Sequence, residues 1–426
     1  MEGFDSKTVK FSFYIIYINR RSSKTQKHKN TKTQKHMEVS EPAQKKRKKE
    51  LGQYFTIDNK LKKIVRTFIR NTPARILEPS VGRGDLVKYL QDDGLCIQYD
   101  MYEIDNTIEF IIPEDGIHFG DFLKTNIDQT YKTIIGNPPY IKGSGGNVYI
   151  EFIRKCITLL EEHGELIFII PSDFFKLTSA APLLCEMCKE GSFTDIFHPH
   201  NENLFNDASI DVVVFRYEKG CKDNNKISYN GLPRWVYNND GILYFSTIEL
   251  KSPVVFKDIF SIHVGMVTGK KKVFQHDTLG SIDVLYDDKK RKKFIWLNTF
   301  PSGNEQIDTY MLHHKNILLQ RKILSFNEKN WFKWGAPRNK SIIEQNKGKK
   351  CIYVRNLTRN KKIAFIGEVE YFGGSLMMLL PQKKINLDNV VQYMNSEHFI
   401  DMFLYSGRYK IGHRILCNAI IDREII

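Results

Sequence analysis

From about residue 58 onward, short apolar runs alternate with stretches in which apolar residues recur every three or four positions. KLKKIVRTFIR (60–70) sets Leu61, Ile64, Val65 and Phe68 on one face and predicts a helix. RILEP (75–79) predicts a strand, SVGRGD a turn, and LVKYLQ the opening of a helix. IQYDMYEID (97–105) alternates like a second strand and KTIIGN (132–137) like a later one. YIEFIRKCITLLEE (149–162) predicts an amphipathic helix, followed by strand ELIFIIP (165–171) and a further strand DVVVFRYEK (211–219). Strands that alternate with helices predict an α/β fold with a parallel, doubly wound, Rossmann-like sheet, whose ligands sit at the carboxyl ends of its strands.

Beyond about residue 225 the pattern changes. Lys, Asn, Tyr and Trp become frequent, KKIAFIGEVEYFGGSLMMLLP (361–381) reads as β structure, and LDNVVQYMNSEHFIDMFLY (387–405) reads as helix. At 426 residues the chain exceeds the usual ceiling for one core. The expected organisation is a basic disordered arm over 1–50, an α/β domain over 51–224, and a mixed, mostly β second domain over 225–426.

Charge sharpens this division. The formal total of +15 is distributed as +9 over 1–50, −8 over 51–224 and +14 over 225–426. An acidic middle between basic flanks fits chemistry on a small cofactor in the middle and a polyanion held by the C-terminal part. Seven scattered cysteines, an odd number, read as reduced thiols in an intracellular protein of cytoplasm, nucleus or viral factory, not a secreted one. No apolar run approaches the roughly 20 residues of a membrane helix, and FSFYIIYIN (11–19) is followed by a basic stretch without a cleavage pattern. Met37 opens a second candidate start, so residues 1–36 read as a leader or an upstream misread start. The run Lys45 to Lys49 reads as a nuclear address, a DNA tether or a solvated arm.

The candidate chemistry begins with GNPPYI (136–141), directly after the apolar run Thr133-Ile134-Ile135. Pro138 and Pro139 fix φ and remove two backbone donors, so the strand must end in a stiff turn. The turn offers the Asn137 amide, the Pro138 carbonyl and the Tyr140 ring, which suits a flat group with two N–H donors. Upstream, ILEPSVGRGDLV (76–87) puts Glu78 at a strand end and Gly82 and Gly84 in a turn where backbone can approach a ligand. Val87 stands where a dinucleotide fingerprint would have its third glycine, so the loop suits any nucleoside cofactor. Glu103 ends the second strand, where an acidic residue binds ribose hydroxyls. Asp121 and Phe122, in GDF, offer an acceptor and a ring edge for adenine. A rival pattern, His163-Gly164-Glu165 followed by Cys185 and Cys188, echoes zinc nucleobase deaminases. Leu184 replaces the proline expected before the first cysteine, and helix-face thiols packed in a core are favoured, so no metal is expected.

In order from about Leu51 to Lys219, these segments resemble the amino-methylating DNA methyltransferases of restriction-modification systems, in the gamma arrangement where cofactor motifs precede the catalytic one. LGQYFT (51–56) is similar to the leading cofactor motif, ILEPSVGRGDLV to the glycine-rich motif, YEID (102–105) to the ribose motif, GDF to the adenine motif and NPPY to the catalytic motif. NVYIEFIRKCITLLEEHGELIFIIPSDFF (147–175) resembles the following helix and strand, and NLFNDASIDVVVFRY (203–217) the last motif. The resemblance implies S-adenosylmethionine as cofactor, with Thr56, Glu78 and Ser80 toward its methionine part. Gly82, Gly84, Glu103, Ile104, Asp121, Phe122 and Pro139 complete that site. It implies catalysis by Asn137, Pro138 and Tyr140, with Phe205 stacking on a flipped base. Asparagine before Pro-Pro favours adenine N6 over cytosine N4, and the absence of a Pro-Cys dipeptide disfavours cytosine C5.

The C-terminal part resembles a target-recognition region more loosely, through GMVTGKKKVF (265–274) and YMNSEHF (393–399). Residues expected to touch double-stranded DNA are Lys270, Lys271, Lys272, the loop Lys289 to Lys293, and WFKWGAPRNK (331–340) with Arg338 and Lys340. Most such lysines touch phosphate; Arg338, Arg408 and Arg414 are the expected base readers. A monomer is expected, with any restriction endonuclease a separate polypeptide. Competing readings are a methyltransferase acting on RNA adenine or a protein glutamine amide, and a catalytically dead DNA-binding protein.

Overall fold

The computed structural model describes residues 47, 50–95, 97–143, 146–205, 208–222, 225–322 and 325–426. The expected arm over 1–50, with its second start and basic run, lies almost wholly outside them. Residues Arg47–Ile426 cluster as one unit.

Its centre is a ten-stranded sheet. The strands are β1 (Arg75–Glu78), β2 (Gln98–Glu103), β3 (Ile117–Phe119), β4 (Tyr131–Gly136), β5 (Leu160–Pro171), β6 (Gly191–Phe197), β7 (Val212–Lys219), β8 (Lys226–Tyr229), β9 (Leu232–Asn239) and β10 (Ile242–Ser246). They lie in the order β10-β9-β8-β6-β7-β5-β4-β1-β2-β3. β1 pairs in parallel with β2 on one side and β4 on the other, so the winding reverses there and opens a crevice at the strands' carboxyl ends. Glu78, Glu103 and Gly136 all end strands on this edge. β7 runs antiparallel between β5 and β6.

Helix α1 (Asn59–Phe68) starts where the Asp58 carboxylate accepts the Leu61 amide at 2.9 Å, and it buries Leu61, Val65 and Phe68 as its spacing predicts. Helix α2 (Asp85–Asp92) starts after Gly84 at φ +93°, and a Cβ there would come within 2.5 Å of the Ile112 side chain. Helix α3 (Val148–Leu159) and helix α4 (Ala181–Glu190) complete the first core.

The sheet does not stop at the expected boundary of 224. β8 pairs in parallel with β6, and β9 and β10 follow as antiparallel additions. The alternation of β10 explains why: Leu243 and Phe245 enter the first core, while Ile242 and Tyr244 enter a second. The C-terminal part then forms a four-stranded antiparallel sheet from Phe260–Val264, Lys350–Arg355, Ala364–Glu368 and Leu376–Pro381, with a hairpin of Ile282–Asp287 and Lys290–Phe294. The helical reading of 387–405 resolves into Leu387–Met394 and Glu397–Asp401. Among the described residues, no helix is long and apolar enough to cross a membrane.

Candidate active site

The crevice beside β1 holds a cavity of about 260 Å³. Its floor is the turn after β1 and the ends of β2 and β4; its cover is the segment Leu51 to Thr56. That segment is pinned by Asp105, which pairs with Arg47 at 2.8 Å and accepts from Gln53 at 3.1 Å. These partners and Thr107 offset the burial of Asp105 and hold its carboxyl below the usual range. Gly52, at φ +64°, lies so near Ile141 that a Cβ would sit 2.5 Å from its side chain. The cover and the turn that follows β4 therefore touch directly.

Of the carboxylates that line the cavity, Glu78 and Glu103 are buried at strand ends. Glu78 is 1% exposed, and burial pushes its carboxyl well above the usual range, with the Ser80 amide opposing and the Glu103 charge adding. Its Oε2 is buried without a partner. Glu103 is also raised, by burial first, although its oxygens accept from the Gly82 and Asp105 amides at 2.9 Å each. A ligand that brings N–H and O–H donors and positive charge relieves both.

At the other end, the Asp121 carboxylate accepts the Leu123 amide at 3.1 Å and pairs with Lys124 at 2.9 Å. Phe122 is 2% exposed and stacks on Phe152 with ring centroids 5.3 Å apart. The Lys155 ammonium sits 4.6 Å from the Phe122 centroid and donates to the carbonyls of Phe122 and Thr125. It fixes the turn that carries Asp121, a part the linear motifs did not signal.

The expected cofactor residues Thr56, Glu78, Ser80, Gly82, Glu103, Ile104, Asp121, Phe122 and Pro139 all line this cavity. Gly84 does not: its left-handed conformation starts α2, and Ile112 fills the space where a side chain would be.

Asn137 lies at the inner end of the cavity. Its Nδ2 donates to the Tyr54 carbonyl at 2.6 Å and lies 3.0 Å from Thr56 Oγ1. The Tyr140 hydroxyl reaches Asn137 Oδ1 and the Ile169 carbonyl, the latter at 2.9 Å. Pro138 is buried behind the turn. Phe205 is 6% exposed; its ring lies 6.2 Å from Tyr140 and 5.8 Å from Tyr54, while Tyr54 stacks on Tyr140 at 5.6 Å. Asn137, Tyr140 and Phe205 are thus brought together, with Tyr54 as a third ring that sequence reasoning missed.

The C-terminal candidates divide. Lys271, Lys272, Arg338 and the hairpin positions Lys289 to Lys293 are exposed, and Lys270 is half-buried. The Lys271 ammonium lies 3.7 Å over the Tyr286 ring, and Lys340 lies 4.7 Å over Trp296. Trp331 and Trp334 are 2% and 4% exposed, so the aromatics of WFKWGAPRNK build the core, while Lys333 and Arg338 face outward and Lys340 is half-buried. Arg321 organises this region: its guanidinium donates to the carbonyls of Leu318, Thr268, Lys333 and Trp331. Arg408 pairs with Glu202 at 3.1 Å on the loop that carries Phe205. Arg414 is half-buried beside Tyr244, with Nη1 shut from solvent.

His163 lies within the first half of β5 at φ +58°, and burial pushes the Cys188 thiol up to about 11. Among the described residues, no group of three or more His, Cys, Asp or Glu side chains is placed to hold a metal ion.

Residues 6–205 match the family described as Eco57I restriction-modification methylase. The chain is 26% identical to the type II methyltransferase M.HindII of Haemophilus influenzae, covering 84% of this chain and 86% of that one. It is 30% identical to M.HincII of Haemophilus influenzae over 50% of this chain and 42% of the other. Identity with M.CvrRI of Paramecium bursaria Chlorella virus XZ-6E is 26%, over 51% and 59%. Among solved structures, a DrdV–DNA complex aligns with TM-score 0.45 and 12% identity, covering 80% of this chain and 50% of that one. The type I restriction enzyme EcoKI M protein aligns with TM-score 0.34 and 15% identity, over 42% and 46%. The chain is related to restriction-modification methyltransferases.

The residues present fit S-adenosylmethionine, the cofactor of this chemistry. The orphaned Glu78 oxygen suits an ammonium, Glu103 suits ribose hydroxyls, and Gly82 takes a φ of +56°, where a side chain would be strained and would press on the Phe55 ring at 3.2 Å.

Proposed function

We propose that this chain is a site-specific DNA methyltransferase that methylates N6 of an adenine flipped out of the duplex. The observation that carries this reading is the orientation of Asn137, whose Nδ2 is engaged by the Tyr54 carbonyl and Thr56 Oγ1 and whose Oδ1 accepts the Tyr140 hydroxyl among the aromatic rings.

When bound, S-adenosylmethionine supplies an electrophilic methyl group on a sulfonium. The chain's own residues do the rest. The exocyclic amine of adenine is a poor nucleophile because its lone pair is delocalised into the ring. Asn137 Oδ1 and the Pro138 carbonyl accept its two N–H bonds, which localises the lone pair on nitrogen and orients it away from both acceptors. The same preorganised dipoles stabilise the positive charge that develops on nitrogen. Tyr140 and Phe205 stack on the base and offset part of the cost of unstacking it from the duplex. Glu78, Glu103 and Asp121 anchor the cofactor at three points, and Leu51 to Thr56 exclude water above it.

The basic hairpin around Lys289 to Lys293 and the exposed Lys271, Lys272 and Arg338 form the phosphate-binding surface. The deciding experiment is modification-sensitive sequencing of genomic DNA from a host without adenine methylases, expressing this chain or its Asn137→Ala variant. N6-methyladenine in one short motif, absent with the variant, is the expected result. Unmodified DNA from folded, cofactor-binding protein would turn the reading toward RNA or a protein amide.

A further inference from the structure

Half of the Asn137 amide is committed away from the substrate side. Its Nδ2 lies 2.6 Å from the Tyr54 carbonyl and 3.0 Å from Thr56 Oγ1. A carbonyl oxygen only accepts, so turning the amide over would set two oxygens against each other. Thr56 is 4% exposed, so bulk solvent does not compete for its hydroxyl.

We propose that Thr56, together with the Tyr54 carbonyl, locks the Asn137 amide with its oxygen toward the base pocket, so that Thr56 is a positioning residue for methyl transfer as well as a wall of the cofactor cavity. This rests on reading the site as an adenine N6 methyltransferase. The arrangement also explains why an amide is needed at 137. A carboxylate would present an oxygen to the Tyr54 carbonyl with no proton between them.

Tyr140 completes the device. Its hydroxyl has one proton and two acceptors, Asn137 Oδ1 and the Ile169 carbonyl at 2.9 Å. Without DNA the proton satisfies Oδ1. When a base amine arrives, the hydroxyl can turn to Ile169, so that Asn137 Oδ1 keeps a donor at both stages. The Tyr54 and Thr56 partners of Asn137 come from the same segment that covers the cofactor cavity, so occupancy of that cavity and orientation of Asn137 are linked.

The test uses the full chain, S-adenosylmethionine labelled in its methyl group, and genomic DNA free of adenine methylation. Thr56→Val removes the hydroxyl at nearly constant volume, and Thr56→Ser restores it. The valine variant should lose about 10- to 100-fold in kcat at saturating S-adenosylmethionine, beyond any change in its Kd for the cofactor read by calorimetry, and the serine variant should recover most of the rate. Full kcat in Thr56→Val overturns the inference. So does a rate loss that tracks weakened cofactor binding and is not rescued by serine. If the wild-type chain leaves this DNA unlabelled, adenine methylation itself fails and takes the inference with it.

Discussion

Glu78 and Glu103 end neighbouring parallel strands, and burial holds both carboxyls above their usual range at the wall of one cavity. Because the folded values are raised, the cofactor-free protein draws full stability from these groups below the ordinary glutamate value of about 4.3. That stability is lost as pH rises through the folded values. A cationic, donor-rich ligand reverses the balance, so S-adenosylmethionine affinity should rise with pH across the same window. Calorimetry in buffers of different ionisation enthalpy should show proton release on binding. Glu78→Gln should flatten the acid-to-neutral loss of stability in the cofactor-free protein and weaken cofactor binding about 10- to 100-fold.

Asn137→Ala should keep cofactor and DNA affinity and lose about 10²- to 10³-fold in kcat, measured with labelled cofactor. Asn137→Asp should be no better, because the Tyr54 carbonyl 2.6 Å from Nδ2 has no proton to offer a carboxylate.

Asp105→Asn should loosen the cover without touching its floor, since Arg47 and Gln53 both depend on that carboxylate. The expected result is faster cofactor dissociation, by about tenfold in stopped-flow measurements, at unchanged DNA affinity. An unchanged dissociation rate would remove Asp105 from this role.

Arg321→Lys should be a poor substitute. Four carbonyls from three stretches of chain converge on one planar guanidinium, which burial lowers only to about 10, so it stays charged at neutral pH. A loss of about 2–4 kcal/mol in urea unfolding of the C-terminal part is expected. DNA binding should weaken with it while cofactor binding persists.

Replacing Lys290, Lys292 and Lys293 by Gln should weaken DNA binding across all sequences alike. The slope of log K against log salt should become shallower by about 0.9 for each phosphate that the variant no longer neutralises, with the methylated motif unchanged.

Much of the catalytic half was legible because its information is local. The Leu61, Val65 and Phe68 spacing, the apolar run LIFII (166–170) and the turn residues after Glu78 each announce themselves within a few positions. What escaped depends on distance in the chain. Tyr54 reads as one aromatic in LGQYFT, and only the fold sets its carbonyl against Asn137, far along the sequence. Lys155 reads as the polar face of a helix until the turn after β3 is laid over it. In WFKWGAPRNK, interleaved aromatic and basic residues suggest a nucleic-acid surface, but Trp331 and Trp334 are needed to fill a small domain's core. Arg408 is an unpaired cation in the sequence and acquires Glu202 only when a hairpin of the C-terminal part meets the loop carrying Phe205.

The two-faced strand β10 makes the halves structurally inseparable. Leu243 and Phe245 close one core and Ile242 and Tyr244 close the other, so the strand is a party wall. A fragment ending at 224 would leave Ile227, Leu243 and Phe245 missing from the catalytic core and would be prone to aggregate. An exchange of recognition domains between relatives would have to be cut after Ser246 and would still have to match one face of that wall.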